Sequence, residues 1–343
     1  MHQPSPEADR DATLFRPLER PGIGFYIVVL LLLSIVAWAF RAYIHQVVNG
    51  LGVTGMNRPV FWGIYITNFI FFIGISHAGT LISAILRVTK AGWRRPITRA
   101  AEAITVFALM VGPINVLIDL GRPDRLLHVF QFGRFQSPLL WDVVAIGTYF
   151  TGSMIYLYLP LIPDIAEVRD RLDIRSRRRR FYELLSLGWT GTEEQKRRLN
   201  RAIAIMAVII IPIAISVHTV VSWVLAMTIQ PMWHSAIFGP YVVMGAIYSG
   251  IASIIIGMAL LRKFFHLEDY LKPVHFSNLG VLLGAFTMLW LYFTLSEHLT
   301  VFYGDEPSEM AVFTAKVWGR YYGLFWITVI ITFVIPIFIL GIR

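Results

Sequence analysis

The segment FWGIYITNFIFFIGISHAGTLISAILR, residues 61–87, decides the fold of this chain. No Asp, Glu, Lys or Arg interrupts it before Arg87. A run of about 20 mainly apolar residues is long enough to cross the hydrocarbon core of a bilayer as a helix. The segment therefore predicts a transmembrane helix. His77 lies well inside it, at a depth where ionisable groups are costly and usually functional.

Seven further segments of the same apolar character surround it. Their approximate ranges are 24–40, 100–118, 138–162, 202–228, 236–261, 276–296 and 322–342. Hydrophobic residues make up 56% of the 343 positions and charged residues 15%, whereas soluble domains carry roughly 25% charged residues. The sequence therefore predicts an all-α integral membrane protein with about eight transmembrane helices.

The basic residues divide unevenly between the two sides of the predicted membrane. Counted by loop, 23 of the 30 Lys and Arg residues lie on the side of the N-terminus and 7 on the opposite side. Basic residues concentrate in cytoplasmic loops, so both ends of the chain, including the tail 1–23, are predicted to be cytoplasmic. The loop 163–201 is expected to hold a short surface helix near lipid headgroups. No nucleic-acid-binding motif accompanies these residues, so nucleic acid is not expected as a partner.

This orientation can be tested with introduced cysteines, because the chain contains no Cys. We expect Arg178→Cys to resist a membrane-impermeant thiol reagent added to intact cells and to react after permeabilisation. Gln136→Cys, in the loop predicted to lie outside, should react in intact cells. Ready labelling at position 178 from outside would invert the topology.

A weak internal repeat appears when the chain is shifted by 176 residues. The matched pairs are Gly63 and Gly239, Tyr65 and Tyr241, Gly74 and Gly250, Ile75 and Ile251, and Arg87 and Lys263. The repeat predicts two related four-helix bundles, at 60–228 and 229–343, with 24–59 forming a peripheral first helix and an outer loop. The second bundle has only three predicted helices. Its fourth is expected from a longer chain or from another subunit.

Few ionisable residues lie within or at the ends of the predicted helices, and most of them lie toward the outer side. They are His77, Glu102, Asp119, Asp142, His218, Glu297 and His298. An outer polar cluster with groups leading inward is the pattern that a quinone site needs. The headgroup must be hydrogen-bonded, and protons must leave as electrons leave. Hydrogen bonding between neighbouring helices would explain each residue singly.

Other uses of these residues stay open. His77 and His218 come from separate helices and could be axial ligands of a b-type haem. Buried charges and an internal repeat also suit a secondary transporter, which should carry broken helices at mid-membrane. A purely structural anchor would need no deep His or Glu. The absence of Cys excludes Cys-ligated iron–sulfur clusters and covalent c-type haem within the chain, and no zinc-binding His/Glu motif occurs.

The loop DLGRPDRLLHVFQFGRF, residues 119–135, follows the third predicted helix. Its Gly and Pro fix a turn, and Arg122, Arg125 and His128 stand at the membrane surface. The loop is either an interfacial anchor or a docking surface for an extrinsic subunit.

Together these motifs resemble the NrfD-like family of membrane quinone subunits. The resemblance is carried by residues 61–87, by WRRPITRAAEAITVFAL at 93–109 and by LGRP at 120–123. SVHTVVSW at 216–223 and TIQPMWHS at 228–235 look most like the large NrfD-like subunit of bacterial alternative complex III.

The resemblance implies a bacterial inner-membrane protein that binds quinone, such as menaquinone, near the outer face. It implies three partners: an extrinsic iron–sulfur subunit, a multihaem cytochrome c subunit and a second NrfD-like membrane subunit. Haem and iron–sulfur clusters would lie in these partners and not in this chain. Functional roles carry over most firmly to His77 and Arg122, with Asp119 and Glu102 in the same site and proton path. An aromatic residue often follows LGRP in the family, where this chain has Asp124. Close relatives carry ten helices.

The sequence therefore favours a quinol-oxidising subunit of an oxidoreductase complex that is not active alone. Catalytic roles are predicted for His77, Asp119 and Glu102, and no metal site is expected. Quinone binding is predicted for His77, Asp119, Arg122, Asp142, His218, Glu297 and His298. The main alternative is that the same fold reduces quinone, as the membrane anchor of a polysulfide- or sulfoxide-type reductase. The sequence leaves both open, because the redox potentials of the partner subunits set the direction of electron flow.

Overall fold

The computed structural model describes residues 22–56, 62–172, 177–228 and 230–341. Eight helices in these ranges are long and apolar enough to cross a membrane, and no β-strand occurs there. They are α1 Ile23–Asn49, α2 Ile64–Val88, α3 Arg95–Asp119, α4 Pro138–Arg171, α5 Glu193–Ala226, α6 Phe238–Phe264, α7 Pro273–Gly304 and α8 Tyr322–Gly341. The predicted fold class is confirmed. The predicted tail lies outside the described residues up to position 21.

Two helices are longer than their apolar segments. α4 continues to Arg171 and α5 begins at Glu193, so both project beyond the predicted span. Their extensions are charged, and hydropathy therefore did not detect them. The start of α5 is marked instead by Thr192, which caps the helix by accepting a hydrogen bond from the backbone N–H of Gln195 at 3.3 Å. Between them lies the expected surface helix, Arg177–Leu185. We call the side of the α2–α3 and α4–α5 connections inner and the opposite side outer.

α2 is the central helix and is buried over most of its length. It contacts α3 and α5, while α4 contacts both of these, so that α2 to α5 close a ring. Small residues allow α2 and α3 to approach each other most closely. A Cβ added to Gly79 would overlap the Thr105 hydroxyl and lie 2.5 Å from the carbonyl oxygen of Ala101 on α3. Transmembrane helices commonly pack through such small residues.

α6 packs against α2 and α5, α7 packs against α6, and α8 packs against α7. At the α2–α6 contact, a Cβ added to Gly74 would lie 3.2 Å from the Cα of Ala246, and one added to Gly250 would lie 3.1 Å from the carbonyl oxygen of Ile75. Residue numbers rise together along the two helices at this contact, so α2 and α6 run parallel. Gly74 and Gly250, paired in the sequence repeat, therefore both lie at this interface.

α1 lies at the periphery and exposes nearly all of its side chains. Gln46 is its one buried residue within the described part of the chain. The Gln46 amide donates a hydrogen bond to the carbonyl oxygen of Ile118 at 2.8 Å and accepts one from the hydroxyl of Tyr65 at 2.7 Å. One polar side chain thus connects α1 to both α2 and α3.

Candidate functional site

Two histidines predicted to be functional meet in the core. His77 on α2 and His218 on α5 are both buried, and their ring centroids are 3.8 Å apart with the planes tilted by 47°. Tyr149 on α4 contacts the His218 ring edge-on at 5.8 Å. The ring of α2 to α5 therefore encloses a pair of imidazoles.

The hydrogen bonding of this pair is incomplete. Neither ring nitrogen of His77 has a partner among the described residues. His218 Nδ1 and Nε2 lie 3.0 and 2.9 Å from the carbonyl oxygens of Ala214 and Ile73. A neutral imidazole has one N–H, so it can donate to only one of these oxygens, and a second proton would complete the other hydrogen bond. Leaving a buried polar atom unpaired costs about 1–3 kcal/mol. The pair is therefore suited to exchanging protons or to contacting a small bound molecule.

The same geometry bears on the haem alternative. Axial ligation would place an iron between the rings, with a nitrogen of each about 2 Å from the metal. A centroid separation of 3.8 Å leaves no space for iron and porphyrin between His77 and His218. The two residues do not fit the role of paired haem ligands.

A line of hydroxyl groups leads from the histidine pair toward the inner side. Tyr149 and Thr105 donate hydrogen bonds to the carbonyl oxygen of Ser76 at 2.8 and 3.0 Å, and the Thr80 hydroxyl lies 3.3 Å from that of Thr105. Farther inward, Ser83 donates to Glu102 Oε1 at 2.5 Å.

Glu102 at the inner end of this polar line is 2% exposed, and its Oε2 has no partner within the described ranges. The Tyr156 hydroxyl lies 3.3 Å from Ser83. Sequence reasoning found Glu102 and missed the hydroxyls. The available signal was the spacing of Ser76, Thr80 and Ser83, which places three hydroxyl residues on one face of α2.

A cavity of about 340 Å³ lies at the outer end, where the ring of α2 to α5 meets α6 and α7. We call it the outer junction pocket. Its walls include Ile70, Leu225, Trp233, Tyr241, Glu297 and Lys316. The Trp233 ring stacks on Phe238 at 5.5 Å and contacts Trp62 at 5.4 Å. An aromatic wall thus faces several polar groups.

The pocket lies directly outward of the histidine pair. Ile70 precedes His77 by seven residues on α2, and Leu225 follows His218 by seven residues on α5, which runs in the opposite direction. Seven residues rise about 10 Å along a helix and return to within about 20° of the same face. The two wall residues therefore stand above the two histidines, about 10 Å nearer the outer surface.

Glu297 and His298, at adjacent positions on α7, supply the hydrogen-bond acceptors of the pocket. Glu297 is 4% exposed and accepts from the Ser235 hydroxyl at 2.5 Å through Oε2. His298 Nδ1 lies 2.8 Å from the carbonyl oxygen of Thr294. That oxygen can only accept, so Nδ1 carries the N–H and Nε2 of the neutral ring is an acceptor. Glu297 Oε1 and His298 Nε2 have no partner in the described part of the molecule.

Lys316 supplies the donor and was not predicted. It lies on an outer helix, Pro307–Val317, which begins with Pro at its first position. Burial lowers the pKa of the Lys316 ammonium, although attraction to Glu297 opposes that shift. Its ammonium also lies 5.8 Å from the centre of the Phe325 ring. The Pro that starts this short helix was the signal in the sequence.

Three other predicted residues lie elsewhere. Asp119 ends α3 and Asp142 lies just beyond the first turn of α4, and each is half-buried with one carboxyl oxygen lacking a partner among described residues. Arg122 is 62% exposed and forms two hydrogen bonds to Asp124, at 2.8 and 2.9 Å. This contact lowers the pKa of Asp124 and raises that of Arg122. None of the three predicted residues lines the outer junction pocket.

Potential metal ligands are scattered. No group of three or more His, Asp or Glu side chains placed to hold a metal ion occurs within residues 22–56, 62–172, 177–228 and 230–341. The site instead combines a histidine pair, a polar line and an outer pocket, an arrangement suited to hydrogen bonding and proton transfer.

Comparison with known proteins agrees with the fold. A protein of Halobacterium salinarum, provisionally named as a membrane subunit of dimethyl sulfoxide reductase, is 26% identical over 84% of this chain. A selenate reductase subunit of Mesobacillus selenatarsenatis is 25% identical over 92% of the chain. The Hdr-like menaquinol oxidoreductase integral membrane subunit of Archaeoglobus fulgidus is 22% identical over 96%.

The matched part of the chain spans 63% of the length of the first relative and 74% of each of the other two. The family model described as "Polysulphide reductase, NrfD" matches residues 52–342, which include α2 to α8. The chain therefore belongs to the polysulphide reductase NrfD family.

Proposed function

We propose that this chain is the quinone-reactive membrane subunit of an oxidoreductase complex and that it oxidises quinol in the outer junction pocket. One relative is named as a menaquinol oxidoreductase subunit and two as reductase subunits. These names support a quinol such as menaquinol as the substrate. The volume of about 340 Å³ suits one ring, since ligand pockets measure about 300–1,000 Å³.

The two free acceptors in the pocket are the observation that carries the proposal. A quinol presents two hydroxyl groups that donate hydrogen bonds, whereas a quinone presents carbonyl groups that only accept. His298 Nε2 and Glu297 Oε1 are both unpaired within the described residues, and they match the hydroxyls of the reduced form. The aromatic wall at Trp233 would stack on the ring.

Oxidation of one quinol yields quinone, two protons and two electrons. We assign the protons to the Glu297 carboxylate and the His298 imidazole, from which they reach water on the outer side. The electrons leave for an iron–sulfur cluster or haem of a partner subunit. Lys316 would stabilise negative charge on the quinol oxygen as its proton departs.

The remaining predicted residues, apart from Arg122, stay in the proposal as proton-handling groups. His77, with His218, lies beneath the pocket, and Glu102 lies at the inner end of the polar line. Asp119 and Asp142, with unpaired carboxyl oxygens, would accept protons near the outer surface. Arg122 would contact an extrinsic partner from its exposed loop.

The reverse direction uses the same pocket. A quinone carbonyl would accept a hydrogen bond from Lys316, and the two reductase relatives favour this reading as the second candidate. For the quinol-oxidising direction, we propose as partners a multihaem cytochrome c subunit and a second NrfD-like subunit, as in alternative complex III. A transporter is less well supported, because α2 to α7 run without interruption.

The pocket acceptors can be tested by substitution in the purified complex. We expect Glu297→Gln and His298→Phe each to raise the KM for quinol at least tenfold, about 1.4 kcal/mol. Glu297→Gln replaces a charged acceptor by a weaker neutral one, and His298→Phe removes an acceptor for a quinol hydroxyl. Steady-state oxidation of a soluble quinol analogue measures this effect.

His45→Phe and Glu167→Gln are the matched controls, because both residues are exposed and lie outside the pocket. They should leave the KM unchanged. If both pocket variants bind and oxidise quinol like the controls, the headgroup does not occupy the outer junction pocket.

A further inference from the structure

A second cavity, of about 350 Å³, opens at the inner end of the ring of α2 to α5. Its walls include Arg87, Arg94 and Arg99, together with Thr98, Pro160 and Asn200. We call it the inner arginine pocket. We infer that it binds a phosphate-bearing anion, which is either the headgroup of an anionic lipid or free inorganic phosphate. The inference is independent of the quinone proposal.

The charges of the pocket are not balanced by the protein. Arg99 forms an ion pair with Asp164, and both side chains are about half exposed. Arg94 donates a hydrogen bond to the carbonyl oxygen of Ala91 at 3.3 Å and has no carboxylate partner among the described residues. Glu102 interacts electrostatically with Arg87 and Arg99. Three guanidinium groups therefore share two carboxylates.

Arg87, which lines the pocket, also has an unsatisfied donor. Its Nε is buried and has no hydrogen-bond partner in the described part of the chain. Guanidinium groups bind phosphate through paired N–H donors, and the Arg87 side chain lines the cavity in which a phosphate would lie. Arg94 also stands at the start of α3, a helix of 25 residues, whose N-terminal end favours a negative charge.

The depth of the pocket matches that of lipid phosphates. Arg87 lies in the last turn of α2, and Arg99 immediately precedes the apolar segment 100–118. On the other helices, Pro160 lies at the end of the apolar segment 138–162, and Asn200 just precedes 202–228. All four helices thus change from apolar to polar at this level. Basic pockets between transmembrane helices at such a boundary bind anionic headgroups.

The test measures lipid and phosphate retention by the purified full chain. We expect native mass spectrometry after reconstitution with equal phosphatidylglycerol and phosphatidylcholine to show retained phosphatidylglycerol. Arg94→Gln and Arg87→Gln should each lower that retention at least fivefold, and Arg94→Lys should preserve part of it. Arg198→Gln is the matched control, because that arginine is exposed on the same side and is paired with Glu194 outside the pocket.

Addition of inorganic phosphate at millimolar concentration distinguishes the two sources. Retention that phosphate does not displace identifies a lipid headgroup, whereas displacement identifies a site that also takes the free anion. Unfolding temperatures of all variants are measured in parallel. A folded Arg94→Gln variant that retains phosphatidylglycerol and phosphate like Arg198→Gln would overturn the inference. So would a wild-type chain that shows neither a preference for phosphatidylglycerol over phosphatidylcholine nor bound inorganic phosphate.

Discussion

Replacing His77 by Ala is expected to slow quinol-dependent electron transfer through the assembled complex at least tenfold. This corresponds to about 1.4 kcal/mol in the limiting step. The variant removes an imidazole whose two nitrogens have no protein partner in the described residues and breaks the contact with His218 at 3.8 Å. In the proposed function the histidine pair handles protons beneath the pocket, so its loss would slow the proton transfers that accompany quinol oxidation. Turnover with a soluble quinol analogue is the measurement.

His45→Ala is the control for this substitution, because His45 is an exposed histidine on peripheral α1. It should leave turnover unchanged. The amounts of assembled complex must be equal in the two variants, so that a rate difference reports chemistry rather than folding. Wild-type turnover in an assembled His77→Ala complex would remove His77 from the mechanism.

Gly79→Leu is expected to destabilise the membrane domain more than any substitution in the pocket. The new side chain would overlap Thr105 and the backbone of Ala101, which leaves α2 and α3 unable to approach. Overpacking a well-packed core costs about 1–3 kcal/mol, and the backbone obstacle at Ala101 cannot turn aside as a flexible side chain would. We expect a large drop in the unfolding temperature of the detergent-solubilised protein, or loss of the folded protein.

Gly147→Leu provides the comparison within the same membrane domain. Gly147 lies in α4, and a Cβ added there meets nothing within 4 Å. This variant should unfold close to the wild-type temperature. Equal unfolding temperatures for the two leucine variants would contradict the α2–α3 contact described here.

Hydropathy predicted the eight spans because burial in lipid requires continuous apolar helices, whatever their neighbours. It also located His77, Glu102 and Glu297 in depth, since each residue adds about 1.5 Å along a helix. Hydropathy does not report rotation about the helix axis or the identity of the neighbouring helix. The contact of His77 with His218 depends on both, and so does the alignment of Ile70 and Leu225 above that pair.

The outer pocket shows a different limit of sequence reasoning. Lys316 lies on a helix of 11 residues, too short to span and too polar to stand out by hydropathy. Lys316 lines the same pocket as Glu297 because the connection between α7 and α8 folds back over the outer end of α7. Conversely, Asp119, Arg122 and Asp142 share an outer depth with Glu297 yet do not line its pocket, because equal depth does not bring different helices together.

The attachment of α1 through Gln46 has a consequence for local unfolding. Detaching α1 breaks two hydrogen bonds, to Tyr65 and to the Ile118 backbone, and such bonds within membranes are worth about 0.6 kcal/mol on average and about 1.7 at most. Opening α2 would instead separate it from α3, α5 and α6 together. Regions with few buried contacts open at low free energy. Backbone amides near Gln46 should therefore exchange with solvent deuterons in a subglobal opening that leaves the amides around His77 protected.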